Sequence, residues 1–553
     1  MSDKDAGNGT KTLIIGIDGG TWALLDHYVA AGHMPAMQRI MEQGVRGPLQ
    51  STIPPLTSAA WTSFQTGKSP GMHGVLGFSL PSMTRAFVNS TSIQGKTLWQ
   101  HLSDFGLTVG VVNCPVTYPP YPVNGFMITG LLTPPGSPNF TYPPELARAL
   151  EGYRIDVRIQ NNPYGFLRAD QKVDAGAFWR DLHEVTARRT ETSLRLLREH
   201  RPDVFMVAYT GMDRISHLYW TTIDPKSPGF DESHPQVRET VRYLGSLDSA
   251  IGSFLEAAPD AHVFFVSDHG FRAHPMLKFH MNIFLREAGL LSTTSEKSVA
   301  ASQSMLKHLV PEPLARRMKT LLKRIAPERA QQLKAAIATP IDWKSTQAFG
   351  VQMYAPFGGI RVSLQGREPK GIVVPGKAYE ALRDKIIEAL KPLRYDGDRP
   401  VIRNAWRREE VFGSGVVEQV PDVVFEVHEA LIPSNYFFDR QASVTSLTVG
   451  NLTGIHAMEG LFLAGGPGIR KGERFEGAAI TDLAPTILYA LGKPVPRDMD
   501  GKVLLGAFTD AFTASRRIER VDAEGAPSRE TYAYSEEEQK VIEERLQALG
   551  YFD

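Results

Sequence analysis

The sequence has almost no cysteine, no long apolar run and no excess of either charge. Cys114 is the single cysteine in 553 residues, which excludes an intramolecular disulfide framework and a cysteine-rich zinc site. Lys and Arg together number 60, as do Asp and Glu, so no net field favours nucleic acid as a partner. The polar N-terminus lacks an apolar signal region, and no run reaches the roughly eighteen apolar residues of a membrane span. We therefore expect a cytoplasmic protein without a transmembrane segment.

Several apolar, β-rich segments end in Asp, Gly or Pro and are separated by helical patterns such as RRTETSLRLLREH. This alternation predicts an α/β fold with a mostly parallel central sheet and helices on both faces. The segments are TLIIGIDGG, LTVGVVNCP, PDVFMVAYTGMD, HVFFVSDHG and EGLFLAGGPG.

The pattern changes near Leu291, where a basic helical segment begins, followed by a stretch rich in glycine and β formers. We interpret these segments as an insertion and a cap on one core. The final stretch, SEEEQKVIEERLQALGYFD, opens with a serine and an acidic first turn, which is typical of a helix start. The predicted division is a flexible N-terminus over 1–10, a core over 11–290 and 420–510, a helical insertion over 291–345, a β-containing cap over 346–419, and a helical tail over 511–553.

Polar side chains follow three of the predicted strands. Asp18, Asp213 and the pair Asp268 and His269 each come where an apolar run ends. Because ligands of parallel sheets bind outside the carboxyl ends of the strands, we expect these side chains to share one edge.

Two further histidines extend this set to three carboxylates and three imidazoles. His217 follows Asp213 by four residues, so both share a face if a helix begins there, and His456 lies in GIHAMEG. Mixed oxygen and nitrogen ligands suit zinc, with manganese and iron as competitors. Six ligands are too many for one tetrahedral zinc, and they divide naturally between two ions about 3.5–4 Å apart.

A hydroxyl follows two prolines in STIPPLTSAAWTSFQTG. Pro54 and Pro55 fix the backbone that leads into a predicted helix, Thr57 takes the N-cap position of this helix, and Gly67 ends it. A helix N-terminus favours phosphate, and a divalent ion can stabilise an alkoxide that attacks phosphorus. The local sequence alone favours the simpler interpretation, in which Thr57 serves only as a cap.

The ordered motifs resemble the alkaline phosphatase superfamily, in particular its type I phosphodiesterase and nucleotide pyrophosphatase branch. They are GIDGG, PPLTSAAWTSFQTGKSPGMHG, GMDRISH, VSDHGF, IHAMEGLFLAGGPGI and ITDLAPTILYALGKPVPRDMDG. The resemblance implies an alkaline phosphatase-like core with Thr57 as the nucleophile and His73 in a structural role. It also implies two metal ions, most often Zn²⁺ with Mn²⁺ as the alternative. One ion would be held by Asp18, Thr57, Asp268 and His269, and the other by Asp213, His217 and His456.

The sequence departs from this pattern where relatives carry an asparagine for the phosphoryl oxygen. The matching position is Phe78, and Asn113 at a strand end is a candidate substitute. Further candidates for contact with the substrate are Lys278 and His280 after SDHGF, and Arg367 in the cap.

The sequence therefore predicts a two-metal hydrolase of phosphate diesters or pyrophosphates that acts through a phospho-threonine at Thr57. Its substrate would be a small phosphate ester, from a nucleotide or a lipid, and we expect no nucleic-acid partner. One alternative is a phosphomonoesterase or a phosphoglycerate mutase-like phosphotransferase on the same metal core. Another is a non-catalytic binding protein that retains the fold. The sequence leaves the oligomeric state open.

Overall fold

The chain forms two compact units, which are described separately. The computed structural model describes residues 9–79, 86–158, 174–293, 341–413, 420–435, 442–447, 452–523, 525 and 530–548. The first unit comprises Met1–His274, Phe412–Glu418 and Val449–Asp553, and the second comprises Pro275–Val411 and Gln419–Thr448. The second unit thus takes in residues 275–290 and 420–448, which the sequence-based division assigns to the core. Most of the predicted helical insertion, residues 294–340, lies outside the described residues.

The strands are short and distributed over both units. In chain order they are β1 (Thr12–Ile17), β2 (Gly44–Gln50), β3 (Val109–Cys114), β4 (Gly125–Thr129), β5 (Thr141–Tyr142), β6 (Val204–Tyr209), β7 (His262–Val266), β8 (Gly270–Ala273), β9 (Leu277–His280), β10 (Ala348–Gln352), β11 (Phe357–Val362), β12 (Arg394–Tyr395), β13 (Arg399–Pro400), β14 (Ile402–Arg407), β15 (Val423–Val427), β16 (Leu431–Ser434), β17 (Val444–Ser446), β18 (Gly454–Ala457), β19 (Glu459–Gly465), β20 (Glu473–Arg474), β21 (Ala478–Ala479), β22 (Val495–Pro496) and β23 (Arg520–Val521).

The helices include two long ones, of 26 and 23 residues. In chain order they are α1 (Trp22–Ala30), α2 (Pro35–Gln43), α3 (Thr57–Thr66), α4 (Pro70–His73), α5 (Leu98–Asp104), α6 (Ala175–His200), α7 (Gly211–Ile223), α8 (Pro235–Ala257), α9 (Met281–Glu287), α10 (Lys377–Leu390), α11 (Arg408–Phe412), α12 (Leu483–Ala490), α13 (Asp510–Ser515) and α14 (Glu536–Ala548).

The first unit is built on a large sheet with the order β20-β2-β19-β7-β1-β6-β3-β4-β5, and β21 pairs with β2. Strands β7, β1, β6, β3 and β4 run parallel. Every residue of β1 is buried, and because successive side chains point to opposite faces, both faces of the sheet are covered there. The predicted α/β class with a mostly parallel sheet is confirmed.

Strand β19 runs antiparallel to both of its neighbours, β7 and β2. Its N-terminal end therefore lies at the edge where β7, β1 and β6 have their carboxyl ends. Strand β2 runs in the same direction as β7 and ends at this edge too, where the Ser51 amide donates to the Met458 carbonyl at 2.9 Å. Residues that follow β2 and precede β19 are thus brought to the edge at which ligands of α/β sheets bind.

Helix α3 packs directly on the sheet through a glycine. A Cβ on Gly16 of β1 would lie 2.7 Å from Cη2 of Trp61, so the missing side chain makes room for the indole. The helix is also held by Gln65, whose amide donates to the Pro115 carbonyl at 2.9 Å and accepts from the Trp99 indole at 3.1 Å. These buried contacts fix the N-terminus of α3 relative to the sheet edge.

The second unit contains a four-stranded sheet with the order β10-β11-β15-β14, in which all pairs are antiparallel. Helix α10 buries Leu382, Ile386 and Leu390 in the same core as this sheet. Two smaller sheets, β16-β9-β17 and β12-β13, also lie in this unit.

Helix α14 begins where the sequence predicts a helix. The Ser535 hydroxyl accepts from the Glu538 amide at 3.2 Å, and the Glu538 carboxylate accepts from the Ser535 amide at 2.9 Å. These reciprocal bonds form a capping box. Within the described residues, no helix is long and apolar enough to cross a membrane.

Candidate active site

Two carboxylates stand at the carboxyl ends of the adjacent strands β1 and β6. Asp18 directly follows β1, and its amide donates to the Tyr209 carbonyl at the end of β6 at 2.9 Å. Asp213 lies in the first turn of α7, which begins two residues after β6 ends. His217 is one helical turn further on the same face, as the spacing predicts.

The end of β7 adds Asp268 and His269 to this group. The Gly19 amide donates to Oδ1 of Asp268 at 3.1 Å, which joins the loops after β1 and β7. Gly19 has a φ of 69°, and a Cβ at this position would lie 2.9 Å from the Cα of Asp213. Glycine at position 19 is therefore needed for both backbone conformation and close packing.

The donor atoms of six side chains converge in the buried interior of the first unit. His456 Nε2 lies 3.0 Å from His217 Nε2 and 3.3 Å from Asp213 Oδ1. His269 Nε2 lies 3.2 Å from Asp268 Oδ2 and 3.7 Å from Asp18 Oδ1. Two groups of donor atoms meet the geometry of a cation site, with all atoms of a group within 4.8 Å of one another. They are Asp213, His217 and His456, and Asp18, Asp213 and His269.

In each of these three imidazoles, the second ring nitrogen, Nδ1, lies within hydrogen-bond distance of a backbone carbonyl. Nδ1 of His217 lies 3.2 Å from the Gly454 oxygen, Nδ1 of His456 lies 2.8 Å from the Pro55 oxygen, and Nδ1 of His269 lies 3.2 Å from the Gly270 oxygen. A carbonyl can only accept, so Nδ1 carries the proton and Nε2 presents a lone pair. This arrangement is typical of metal-ligating histidines.

The carboxylates at the centre have acceptor capacity that the protein does not use. Both oxygens of Asp18, Oδ1 of Asp213 and Oδ2 of Asp268 are buried and accept no hydrogen bond from any described residue. Burial, followed by the charges of Asp268 and Asp213, raises the pKa of Asp18 well above its ordinary value, and burial raises the pKa of Asp268 to about 8. Buried anions of this kind are costly unless cations neutralise them.

Thr57 is the first residue of α3 and not its N-cap. The N-cap position belongs to Leu56, and no side chain caps the helix. The predicted capping role of Thr57 is therefore wrong, whereas the predicted end of the helix at Gly67, with φ 65°, is confirmed. The fully buried Thr57 hydroxyl instead lies 3.4 Å from Nε2 of His269, within the cluster of donor atoms.

A buried arginine behind the cluster was not foreseen from the sequence. Arg214 donates from Nη1 to Oδ2 of Asp213 and from Nη2 to Oδ2 of Asp156 at 2.5 Å. Burial alone would raise the pKa of Asp213, but neighbouring positive charge, including that of Arg214, outweighs it and holds that pKa well below the usual range. The only sequence signal was an arginine in GMDRISH, on a stretch of α7 that is buried on all sides.

The remaining predicted residues of the first unit have structural contacts. With the amide of Asn113 oriented to match its neighbours, the oxygen accepts from Arg189 at 3.1 Å and the nitrogen donates to the Ile155 carbonyl at 3.3 Å. Phe78 is buried. His73 lies 2.9 Å from the Ser63 hydroxyl and accepts from the Val75 amide at 3.1 Å, which agrees with the structural role implied for it. The phosphoryl-binding role considered for Asn113 stays a prediction.

The other candidates for contact with the substrate belong to the second unit. Arg367 donates to both carboxylate oxygens of Asp422, at 2.7 and 2.6 Å, and to Glu368 at 3.0 Å. His280 Nε2 lies 2.8 Å from the Thr445 hydroxyl, and Lys278 is a half-buried residue of β9. Arg367 thus forms a bidentate ion pair inside its own unit.

A family model described as type I phosphodiesterase/nucleotide pyrophosphatase matches residues 12–430. The chain belongs to this family. Its members hydrolyse phosphate esters, and the alkaline phosphatase-like core that the resemblance implied is confirmed. His456 and the C-terminal helix lie beyond the matched residues.

Comparison with solved structures finds similar chains at low identity. Human ectonucleotide pyrophosphatase/phosphodiesterase 5 is 13% identical, with 90% of this chain and 98% of that chain covered and a TM-score of 0.46. Phosphonoacetate hydrolase from Sinorhizobium meliloti 1021 is 17% identical, with 87% and 95% covered and a TM-score of 0.44. No curated protein matches the sequence.

Proposed function

We propose that this member of the type I phosphodiesterase/nucleotide pyrophosphatase family hydrolyses phosphate diesters or pyrophosphates with two divalent ions and Thr57 as the nucleophile. The observation that carries the proposal is the Thr57 hydroxyl, buried 3.4 Å from a histidine of the donor cluster at the N-terminus of a helix. Helix N-termini favour phosphate groups. The cytoplasmic location stays a prediction.

The donor set fits two ions. Three imidazoles present their Nε2 lone pairs, and four carboxylate oxygens have no hydrogen-bond donor in the described part of the chain. Asp18, Thr57, Asp268 and His269 would hold one ion, and Asp213, His217 and His456 would hold the other. Such ions, Zn²⁺ or Mn²⁺, supply positive charge that stabilises an alkoxide and the phosphoryl oxygens.

Thr57 carries out the covalent step. Its Oγ1 loses its proton and forms a bond to phosphorus, while the bond from phosphorus to the leaving oxygen breaks and that oxygen takes up a proton. Water then attacks phosphorus, the Oγ1–P bond breaks, and the threonine hydroxyl is restored. The packing of Trp61 and Gln65 on the sheet holds the start of α3, and hence Oγ1, in place during both steps.

The test compares bis-p-nitrophenyl phosphate with p-nitrophenyl phosphate on the protein loaded with zinc or manganese. We expect the diester to be preferred. Thr57→Val, which keeps the side-chain shape, should lose at least about a thousandfold in kcat, and Thr57→Ser should retain part of the activity. Preference for the monoester would move the assignment to a phosphomonoesterase or a mutase-like phosphotransferase. Equal rates for wild type and Thr57→Val would refute the role of Thr57.

A further inference from the structure

A cavity of about 320 Å³ lies in the first unit beside the ion pair behind Asp213. Its lining includes Thr133, Phe140, Tyr153, Arg154, Asp156 and Arg545. Asp156 is the residue that Arg214 bridges to Asp213. Two ion pairs that share Arg214 thus connect the lining of the cavity to the candidate metal centre.

Arg545 enters this cavity as a buried cation with few partners. Arg545 is 9% exposed. Within the described residues its guanidinium makes one hydrogen bond, in which Nη1 donates to the Thr133 carbonyl at 3.3 Å. The buried Nε of Arg545 has no acceptor in the described part of the chain. A guanidinium carries five N–H groups, and burying it without acceptors is unfavourable. Among the described residues, the guanidinium of Arg545 therefore has fewer acceptors than N–H groups.

The nearby carboxylates are shared with other arginines. Asp156 accepts from Arg214 at 2.5 Å, and Asp181 is engaged by Arg154. Arg189 is also buried and donates to the Ala208 carbonyl at 3.0 Å and to the carbonyl of Ile155, which lines the cavity. Asp156 and Asp181 are thus each paired with another arginine, and the additional guanidinium of Arg545 favours an anion at this site.

The segment that carries Arg545 is firmly attached to the first unit. The Tyr534 hydroxyl donates to the Leu132 carbonyl at 3.0 Å, and the Asn89 amide donates to the Tyr532 carbonyl at 3.0 Å. The capping box at Ser535 then starts α14, which carries Arg545 to the cavity. This segment lies outside the residues matched by the family model, so the pocket includes a part of the chain that the family match does not cover.

We propose that this cavity binds an anionic phosphate or carboxylate group of a small molecule, with Arg545 as its principal partner. The anion supplies the acceptors that the guanidinium lacks. It is either a free effector or a second anionic group of the substrate. Binding itself does not depend on the chemistry of Thr57.

Binding is tested first with inorganic phosphate, by calorimetry on the full chain after treatment with a chelator. Arg545→Met should weaken phosphate binding at least tenfold. Lys540→Met is the matched control, because Lys540 is an exposed cation on the same helix, and it should leave the affinity unchanged. If Arg545→Met does not fold, Arg158→Met replaces it, since Arg158 lines the cavity with an exposed side chain. Absence of binding, or equal affinity in all variants, would overturn the proposal.

The source of the anion is tested on the metal-loaded protein. If the anion belongs to the substrate, Arg545→Met should raise KM at least tenfold for a nucleoside triphosphate and leave KM for bis-p-nitrophenyl phosphate within about twofold. If it is a free effector, added sulfate should change turnover of bis-p-nitrophenyl phosphate in wild type and Lys540→Met but not in Arg545→Met. If Arg545→Met lost activity equally on both substrates and bound phosphate as wild type does, Arg545 would have only a structural role. This result would overturn the proposal. Phosphate binding without any esterase activity would instead refute only the proposed function.

Discussion

Thr57 Oγ1 and His269 Nε2 lie 3.4 Å apart, although 212 residues separate them in the sequence. Thr57 follows β2 and His269 follows β7. These two strands run in the same direction, so both end at the same edge of the sheet. The hydroxyl is therefore placed next to the imidazole by the topology of the sheet and not by any local motif.

Metal binding should stabilise the protein. We expect zinc or manganese to raise the melting temperature of chelator-treated wild type, because the folded state presents the donor cluster preformed and the unfolded chain does not. In His456→Ala this increase should be much smaller, since one of the Nε2 donors is lost. The control is His200→Ala, an exposed position away from the cluster. An equal increase in all three proteins would argue against a metal site at His456.

Arg214 should be critical for the geometry of Asp213. Replacing Arg214 by Met removes the cation shared by Asp156 and Asp213, which leaves buried carboxylates without a partner and should destabilise the fold by about 3–5 kcal/mol. Unfolding in urea measures this change. Replacing the exposed Arg242, which pairs with Glu239 on the surface, should change the free energy of unfolding by less than about 1 kcal/mol. Similar effects of both substitutions would contradict the account of a buried ion pair.

Gly19 offers a test that separates backbone strain from crowding. Gly19 and Gly32 both have positive φ, 69° and 82°, but a Cβ on Gly32 would meet nothing within 4 Å. Alanine at either position should cost about 1 kcal/mol or more from strain. Only Gly19→Ala should also weaken metal binding, because its Cβ would press on the backbone of Asp213. Metal affinities measured by titration distinguish the two, and equal affinities would contradict the crowding argument.

His73 should make stability sensitive to acid. Burial, followed by the charge of Lys68, lowers the pKa of His73 to about 3. The folded-state pKa lies below the unfolded one, so this contribution to stability is present above about pH 6.5 and is lost as the pH falls toward 3, by up to about 1.4 kcal/mol per unit.

His73→Gln should be less stable than wild type at neutral pH, since its contacts with Ser63 and Val75 are altered. The difference in the free energy of unfolding between the two proteins should nevertheless shrink as the pH falls from 7 to 4. Urea unfolding at several pH values measures it. A difference that stays constant with pH would show that His73 is not held neutral by the fold.

The sequence predicts the carboxylates and the strands well because both depend on local patterns. A fully buried strand requires a continuous apolar run, and Asp18 and Asp268 are conspicuous where such runs end. The direction of β19 could not be predicted in this way, because a buried strand has the same composition whether it runs parallel or antiparallel. Its antiparallel course matters, since it brings His456 to the edge of the sheet where Asp18 and Asp268 lie.

Other features depend on contacts that are remote in sequence. Arg214 and Asp156 are 58 residues apart, and nothing in the segment around Asp156 predicts a strand or helix that would place it. The helix start at Thr57 was misplaced by one residue because Leu56 takes the N-cap conformation without a side-chain hydrogen bond. A hydroxyl after prolines is an ordinary signal for a helix cap. In this protein the Thr57 hydroxyl does not cap the helix but lies buried beside the donor cluster.

The central claim is that Thr57 becomes covalently attached to phosphorus. The most direct measurement is rapid acid quenching of the metal-loaded protein during turnover of bis-p-nitrophenyl phosphate, followed by mass spectrometry of its peptides. The account predicts a phosphoryl ester on Thr57 in wild type, no adduct in Thr57→Val, and an adduct on the serine in Thr57→Ser. Turnover at full rate without an adduct at this position, or an undiminished rate in Thr57→Val, would contradict it.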